Sequence, residues 1–144
     1  MAKFRYINHT ADVEFRAYGP TLTTALSNSF YALFDTIAYV KKVSHHASNS
    51  KVVRLKVHAK TIEDLIWQSL QSALSLGDAR GIFFYRIRSI GIKKQGNGYN
   101  LSVILLGKNE RPEYSKFEVK GISRYNLSLK RRGKLFIINI VVDV

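Results

Sequence analysis

Along the first half of this chain, the spacing of apolar residues changes from every second position to every third or fourth. Residues 3–7 and 13–18 alternate apolar and polar side chains, which predicts two strands that each bury one face. Apolar residues recur at helical spacing over 21–39 and 62–76, which predicts two amphipathic helices. The segment 41–50 is polar and irregular, which predicts a loop.

The second half of the chain has the alternation of strands almost throughout. The turn sequences GNGY at 96–99 and RRGK at 131–134 each separate two strands, so each pair is predicted to form a hairpin. With a further strand at 51–59, the order β-β-α-β-α-β-β-β-β indicates the α+β class. We expect residues 1–144 to form one domain, an α/β sandwich with a mixed or antiparallel sheet and two helices packed on it. The strands predicted in this half are 82–92, 98–107, 115–129 and 134–143.

The composition is that of a chain able to bury a substantial core. Of its 144 residues, 46% are hydrophobic, which is enough for one domain. The absence of cysteine excludes disulfides, thiolate metal ligands and cysteine nucleophiles. The chain has no apolar run of about eighteen residues, and its N-terminal sequence MAKFRYINHT is not that of a signal peptide. We therefore expect a soluble, cytoplasmic protein that does not enter a membrane.

Positive charge is the strongest signal in the composition. The chain has 23 Lys and Arg against 10 Asp and Glu, a formal net charge of +13. Residues 80–134 hold 14 of the basic and 3 of the acidic side chains. Such a field attracts polyanions, so nucleic acid or a nucleic-acid complex is the first partner class to consider. A basic surface that only keeps the protein solvated is the alternative.

The last predicted strand ends in a pair of negative charges. It is apolar on both faces except at Asn139 and Asp143, which predicts a central position in its sheet. Asp143 is followed by the carboxylate of Val144, and two adjacent anions repel each other unless a cation relieves them. If Asp12 came close, three oxygen donors would converge, the ligand type that Ca²⁺ and Mg²⁺ prefer. From spacing alone, a solvated Asp143 and an Asp12 that caps a turn are the simpler interpretation.

Other polar motifs give weaker indications of chemistry. His9 suits a turn residue better than a proton carrier, and His45 with His46 lacks a third metal ligand. RGIFFYRI at 80–87 matches an RNA-binding aromatic motif in too few positions, and a core strand explains it better. KRRGK at 130–134 suits a phosphate contact and a solvated turn equally well. No P-loop, G-x-S-x-G, H-E-x-x-H or dinucleotide fingerprint is present.

Three segments in the right order resemble the archease family over nearly the whole chain. HTADVEFRAYGPTLTTALSNSFYALFD at 9–35 is similar to the opening of that family, with its H-T-A-D box, a strand that ends in glycine and a helix that ends in L-F-D. HAKTIEDLIWQSLQSAL at 58–74 resembles the second helix of the family. FEVKGISRYNLSL and GKLFIINIVVDV resemble its closing hairpin, which ends with aspartate and one aliphatic residue.

The resemblance implies an accessory protein of tRNA splicing that does not itself catalyse a reaction. Archeases act with the GTP-dependent RNA ligase that joins tRNA exon halves, and promote both its guanylylation and its multiple turnover. Family members bind a metal ion assigned as calcium, which here implies Asp12, Asp143 and the carboxylate of Val144 as ligands. The donor set does not discriminate Ca²⁺ from Mg²⁺ or Mn²⁺. We expect His9 and Thr10 to shape the turn that aims Asp12.

The chain departs from the family pattern before its last turn. Where the family usually has K-A-x-T-Y-H, this sequence has KGISRYN at 120–126, so Arg124 and Tyr125 replace a tyrosine and a histidine. Any role of that histidine is therefore not transferred to this chain. Lys120 matches the family, and it joins a set of cations that we consider for contact with the ligase or RNA. That set is Lys120, Lys130, Arg131 and Arg132.

Two other functions are compatible with the sequence. The first is a basic RNA-binding or chaperone module that acts on tRNA directly, through the positively charged second half of the chain. The second is a metal-dependent hydrolase of phosphate esters. It would need a general base beside the metal, for which His9 and Glu14 are the candidates.

Overall fold

A computed structural model of the chain describes residues 3–7 and 12–144, and these form eight strands, three α-helices and one 3₁₀ turn. The strands pair in two sheets, and every pairing between them is antiparallel. In chain order the elements are β1 (Phe4–Ile7), β2 (Val13–Gly19), α1 (Leu22–Ile37), α2 (Val40–His45), β3 (Lys51–Ala59), α3 (Ile62–Arg80), β4 (Ile82–Gln95), β5 (Gly98–Asn109), the 3₁₀ turn Pro112–Tyr114, β6 (Gly121–Ile122), β7 (Ser128–Arg132) and β8 (Leu135–Asp143).

The first sheet has the order β1-β2-β8-β6, and β7 also pairs with β8. The last strand is therefore central, as its apolar faces predict. Phe15 of β2 lies opposite Ile140 of β8, and both are fully buried. Because side chains alternate along a strand, the next residues of each strand point to the outer side of this sheet.

The second sheet has the order β3-β5-β4. Its inner side is apolar, since Val53, Leu55 and Val57 of β3 alternate with exposed polar residues. The predicted hairpin between β4 and β5 turns at Gly96, whose φ of 59° is a conformation that glycine adopts without strain. Two register shifts in β4 mark bulges that bend this strand.

The two long helices pack between the sheets and begin where the sequence predicts. Thr21 and Thr61 cap α1 and α3, and each hydroxyl accepts a hydrogen bond from the backbone N–H three residues on, at 3.1 Å. The α3 helix continues to Arg80 and ends at Gly81 in the left-handed conformation, with φ of 62°. Both helices contribute to one core that both sheets share.

The predicted loop 41–50 is only partly correct, because its first residues belong to the short helix α2. A single apolar residue, Val43, is buried there against Ala38 and Phe83. The Lys108 ammonium group donates hydrogen bonds to the carbonyl oxygens of Ser44 and His46, at 2.8 and 2.6 Å. These bonds supply partners for carbonyl groups at the C-terminal end of α2. One buried valine in a polar run was too weak a signal to predict a helix.

The predicted strand 115–129 is wrong for most of its length. The backbone N–H groups of Lys116 and Phe117 donate to the carbonyl oxygens of Ile37 and Thr36, at 2.9 and 3.1 Å. This segment therefore completes the C-terminal end of α1 instead of entering a sheet. Only β6 and β7 within it pair with β8.

The α+β class and the single small domain are confirmed, with antiparallel pairing throughout the described strands. The prediction of one sheet and two helices needs correction, because the strands divide into two sheets and α2 is added. Over residues 3–7 and 12–144, no helix is both long and apolar enough to cross a membrane.

Candidate functional site

Asp12 and Asp143 lie at the same end of the first sheet. The ladder between β2 and β8 ends with the pair Val13 and Val142, so each aspartate is the next residue beyond this pair on its own chain segment. Residues opposite each other in an antiparallel pair have Cα atoms about 4.5–5.5 Å apart. The register therefore places two residues that are 131 positions apart in sequence beside the same terminal pair of the ladder. Asp143 is exposed, and Asp12 and Val144 are half-buried.

The short strand β6 holds Asp143 from its other side. Gly121 pairs with Asp143, and the Lys120 N–H donates a hydrogen bond of 2.7 Å to the Asp143 carbonyl oxygen. A Cβ atom at Gly121 would lie 3.9 Å from the Asp143 Oδ2 atom and 3.7 Å from Oε1 of Gln71. The same Gln71 oxygen accepts a hydrogen bond of 3.0 Å from the Ile122 N–H. Gln71 of α3 thus fixes the strand that borders Asp143.

Gln71 and Gly121 were not predicted as part of this site. Gln71 lies in a helix whose pattern indicated only an amphipathic stripe, and Gly121 lies in the segment assigned to a long strand. The resemblance to K-A-x-T-Y-H singled out Lys120, Arg124 and Tyr125, and gave no role to Gly121.

Glu14 is a third carboxylate near this end of the first sheet, and it has a fixed partner. The Asn139 Nδ2 group donates a hydrogen bond of 3.0 Å to Glu14 Oε2. The Asn139 Oδ1 atom in turn accepts a bond of 3.2 Å from Nε of Arg16. Asn139 is the only polar residue among 135–142, and it serves to connect an anion and a cation across two strands. Glu14 is therefore held by neighbours, which gives no support to its use as a general base.

A cavity of about 290 Å³ opens beside Asp12. It is also lined by Tyr6, Thr36 and Lys116. The Tyr6 hydroxyl donates a hydrogen bond of 2.7 Å to Oδ2 of Asp35, and Nζ of Lys116 lies 3.6 Å from that oxygen. Burial raises the pKa of Tyr6 above its ordinary value, and the bond to Asp35 adds to this effect. The Tyr6 side chain therefore stays neutral and donates a hydrogen bond.

The histidines of the sequence do not form a metal site in the described residues. His9 and Thr10 lie outside the described residues. The ring nitrogens of His46 are 3.1 Å from the Tyr114 hydroxyl and 3.1 Å from Nη1 of Arg111, so both are engaged. Within 3–7 and 12–144, no three His, Cys, Asp or Glu side chains converge as metal ligands. The ligand set that the resemblance implies contains only two such side chains, those of Asp12 and Asp143, and its third ligand is the terminal carboxylate of Val144.

The four cations considered for ligase or RNA contact do not form one surface. Lys120 adjoins Asp143 through its backbone, whereas Arg132 pairs with Leu135 at the opposite end of β8. Eight residues of extended chain separate these ends, about 26 Å. Arg131 lies over the Phe136 ring at 5.0 Å, and Lys130 belongs to the same distant strand. Lys120 is therefore the one of the four that lies near the carboxylates.

The two residues that depart from the family pattern have different environments. The Arg124 guanidinium lies 4.5 Å from the centre of the Trp67 ring and donates a hydrogen bond of 2.5 Å to Asp64. It fastens its loop to α3 through stacking and an ion pair. Tyr125 is 95% exposed, which leaves its whole ring available to a partner.

Comparisons with known proteins agree on one family. The model of the archease protein family matches residues 4–144. The protein archease of Methanosarcina acetivorans is 28% identical over 144 residues, which cover 99% of this chain and 96% of that protein. The protein archease of Thermococcus kodakarensis is 32% identical over 133 residues, which cover 91% of this chain and 90% of that protein.

Two solved structures have the same fold. The solution structure of Methanobacterium thermoautotrophicum protein 1598 has a TM-score of 0.84 and 21% identity, and it covers 100% of both chains. The crystal structure of an archease from Thermotoga maritima, described as a possible chaperone, has a TM-score of 0.61 and 17% identity. This alignment covers 96% of the present chain and 94% of the other.

Proposed function

The chain belongs to the archease family, and from this premise we propose that it is an accessory protein of tRNA splicing. In this proposal it promotes guanylylation and multiple turnover of the GTP-dependent tRNA-splicing RNA ligase, in the cytoplasm, and is not itself a catalyst. The observation that supports the proposal is the position of Asp12 and Asp143, each the next residue beyond the last pair of the β2–β8 ladder, Val13 and Val142. Local sequence offers no reason for these aspartates to be neighbours.

We further propose that Asp12, Asp143 and the carboxylate of Val144 hold a divalent metal ion. Their oxygen atoms fit a hard cation, and Ca²⁺ is the first candidate, with Mg²⁺ and Mn²⁺ as alternatives. Adjacent carboxylates without a cation repel each other, so the donor set itself favours binding. A bound ion would supply positive charge at an exposed end of the sheet, where a partner can reach it.

The residues around the carboxylates have positioning roles in this proposal. The hydrogen bond from the Lys120 backbone and the pairing of Gly121 fix the end of β8. Gln71 fixes β6 through the Ile122 N–H. Asn139 keeps Glu14 engaged, so that the aspartates carry the site. These contacts order the strand ends before any ion or ligase binds, which reduces the entropy that binding must overcome.

The test measures ligase guanylylation and turnover with wild-type protein, Asp143→Asn and Asp12→Asn. Each aspartate variant is expected to abolish the stimulation while its circular dichroism spectrum stays unchanged. Glu63→Gln is the matched control, because it removes one exposed carboxylate from the first turn of α3. Equal ligase turnover with and without the wild-type protein would overturn the proposed function.

A second measurement tests the metal site separately. A ligand that binds only the folded state raises the melting temperature. Added Ca²⁺ is therefore expected to raise the melting temperature of the wild type and of Glu63→Gln, but not of Asp143→Asn. The same rise in all three proteins would place the ion elsewhere.

A further inference from the structure

The outer side of the second sheet has charged edges and an uncharged centre. Cross-strand rows place Arg54 beside Ile104 and Ser89, and Lys56 beside Ser102 and Gly91. The neighbouring rows add Arg86 of β4 at one end and Lys93 of β4 at the other. We call this surface the basic face and define it by four exposed cations: Arg54, Lys56, Arg86 and Lys93.

The spacing of the basic face follows from its strands. Neighbouring strands lie about 4.8 Å apart, so β3 and β4 are about 10 Å apart across β5, and the nearest cations on them, one row apart, are separated by about 12 Å. Alternate residues along a strand are separated by about 6.7 Å, and the four rows therefore span about 20 Å. The helix α2 covers the start of β4 through Phe83, and the four cations lie beyond it and are exposed.

No carboxylate neutralises this surface. All 10 acidic residues of the chain belong to the described part, and none of them lies in β3, β4 or β5. These three strands hold 8 lysine and arginine residues. The ion pairs in residues 3–7 and 12–144 involve Arg111, Lys116 and Arg124, none of which belongs to the basic face. Its cations therefore present their full charge to solvent.

We propose that the basic face binds the phosphodiester backbone of an RNA strand. Two lines of cations on either side of an uncharged strand suit a polyanion that runs along the sheet, and the hydroxyl groups of Ser89 and Ser102 offer hydrogen bonds to phosphate oxygens. A protein partner is less well matched, since protein interfaces depend on buried aromatic or aliphatic anchors. In the four rows, the large aliphatic residue exposed most is Val52, at one end.

The mode of binding follows from the side chains that the basic face lacks. Its four rows contain no phenylalanine, tyrosine or tryptophan on the outer side, and the ring of His58 is hydrogen-bonded to Asn100. Bases therefore have no free ring on which to stack. The contacts are with phosphates, and they carry no direct sequence information. Binding is therefore expected to be independent of base sequence and to weaken steeply as salt is added.

The experiment compares two variants that each lower the formal charge from +13 to +9, by four substitutions. The face variant carries Arg54→Gln, Lys56→Gln, Arg86→Gln and Lys93→Gln. The control variant carries Lys3→Gln, Arg5→Gln, Arg80→Gln and Lys134→Gln, at exposed positions outside the second sheet and outside the candidate contact set. The probe is a fluorescent single-stranded oligouridylate of about 16 nucleotides, long enough for one strand-binding site.

The face variant is expected to bind the probe at least about tenfold more weakly at about 0.1 M salt. The slope of log K against log salt should fall by about 0.7 for each phosphate that the variant no longer neutralises. The control variant should keep the wild-type slope. Equal weakening in both variants would show dependence on net charge alone, and unchanged binding by the face variant would exclude this surface. Both results overturn the proposal.

Two further measurements complete the test. Polyglutamate of matched length is expected to compete poorly with the probe, and competition as strong as that of RNA would favour an acidic protein instead. The inference does not rest on the metal site, so Asp143→Asn should bind the probe like the wild type. The face variant should keep the circular dichroism spectrum and the cooperative thermal transition of the wild type, which confirms that it is folded whether or not the metal proposal holds.

Discussion

The two sheets share an antiparallel plan but distribute charge in different ways. On the first sheet, charges of both signs occur, and Asn139 links Glu14 to Arg16 within hydrogen-bond distance. On the second sheet, β3, β4 and β5 hold lysine and arginine without any acidic residue. Opposite charges that lie side by side have a field that fades over a short distance, whereas charges of one sign reinforce each other.

This difference indicates that the residues that stabilise the fold and the residues that set the surface charge are different ones. Both sheets bury an apolar inner side against the same helices, and this packing holds the domain together. The outer sides are free to differ, because exposed charges contribute little to the free energy of unfolding. The two proposed partners differ accordingly: a metal ion at the end of the first sheet and a polyanion on the basic face.

The largest expected effect compares the central strands of the two sheets. Ile140 on the inner side of β8 is fully buried, so Ile140→Ala should lower the free energy of unfolding by about 2–5 kcal/mol. Ile104 on the outer side of β5 is half-buried, so Ile104→Ala should cost roughly 1 kcal/mol. Urea unfolding of both variants measures the difference. Equal costs would mean that the outer side of β5 is covered as fully as the core.

A smaller effect should separate the basic face from the mixed charges of the first sheet. Repulsion among cations lowers stability at low ionic strength, and salt screens it. Moving from low to moderate sodium chloride should stabilise the wild type by on the order of 0.5 kcal/mol. The same increase in sodium chloride should stabilise the face variant less than the control variant, because the face variant has lost the repulsion among cations on the second sheet. A larger gain in the face variant would contradict the assigned distribution of charge.

The smallest effect concerns two carboxylates outside both sheets, those of Asp78 and Glu118. Burial raises the pKa of Asp78 above its ordinary value, and the nearby Glu118 raises it further. The folded state therefore holds this proton more tightly than the unfolded state, and stability is lost as the pH rises through the raised pKa. Asp78→Asn should raise the melting temperature at neutral pH and lose this advantage below the ordinary pKa of aspartate.

Thermal melting at several pH values provides the measurement for Asp78→Asn. Glu63→Gln is a suitable control, because Glu63 lies exposed in the first turn of the same helix, where a negative charge is favourable. Its melting temperature should stay the same or fall slightly at neutral pH. A lower melting temperature for Asp78→Asn at neutral pH would contradict the unfavourable burial of the Asp78 charge beside Glu118.

Regular patterns in the sequence predicted the regular parts of the fold. The helical stripes and the turn at Gly96 each act through neighbours in the chain, and they appear where they were expected. The long strand predicted at 115–129 failed because its backbone groups bond to the end of α1. Such a partner is distant in sequence, and no local period reveals it. The division of the strands into two sheets is a long-range property of the same kind.

The candidate site was predictable only in part. Asp143 drew attention because a carboxylate ends an apolar strand, but nothing near Asp12 distinguished it from a residue that caps a turn. The resemblance to a family supplied that connection, and the register of β2 and β8 brings the two residues to one place. Gln71 was beyond sequence reasoning, because its role depends on a helix that packs beside β6. The ligand set itself stays a prediction.

The position of the cations on β3 and β4 has a second consequence. Within the described residues, these two strands are the edges of the second sheet, and each edge has unpaired backbone groups that another chain could join. Lysine and arginine on edge strands oppose such pairing, and the bulges of β4 disturb its regular edge as well. The cations of the basic face, which we propose to bind RNA, would therefore also oppose aggregation through these edges. Substituting them therefore carries a risk of fibrous self-association, which light scattering would reveal.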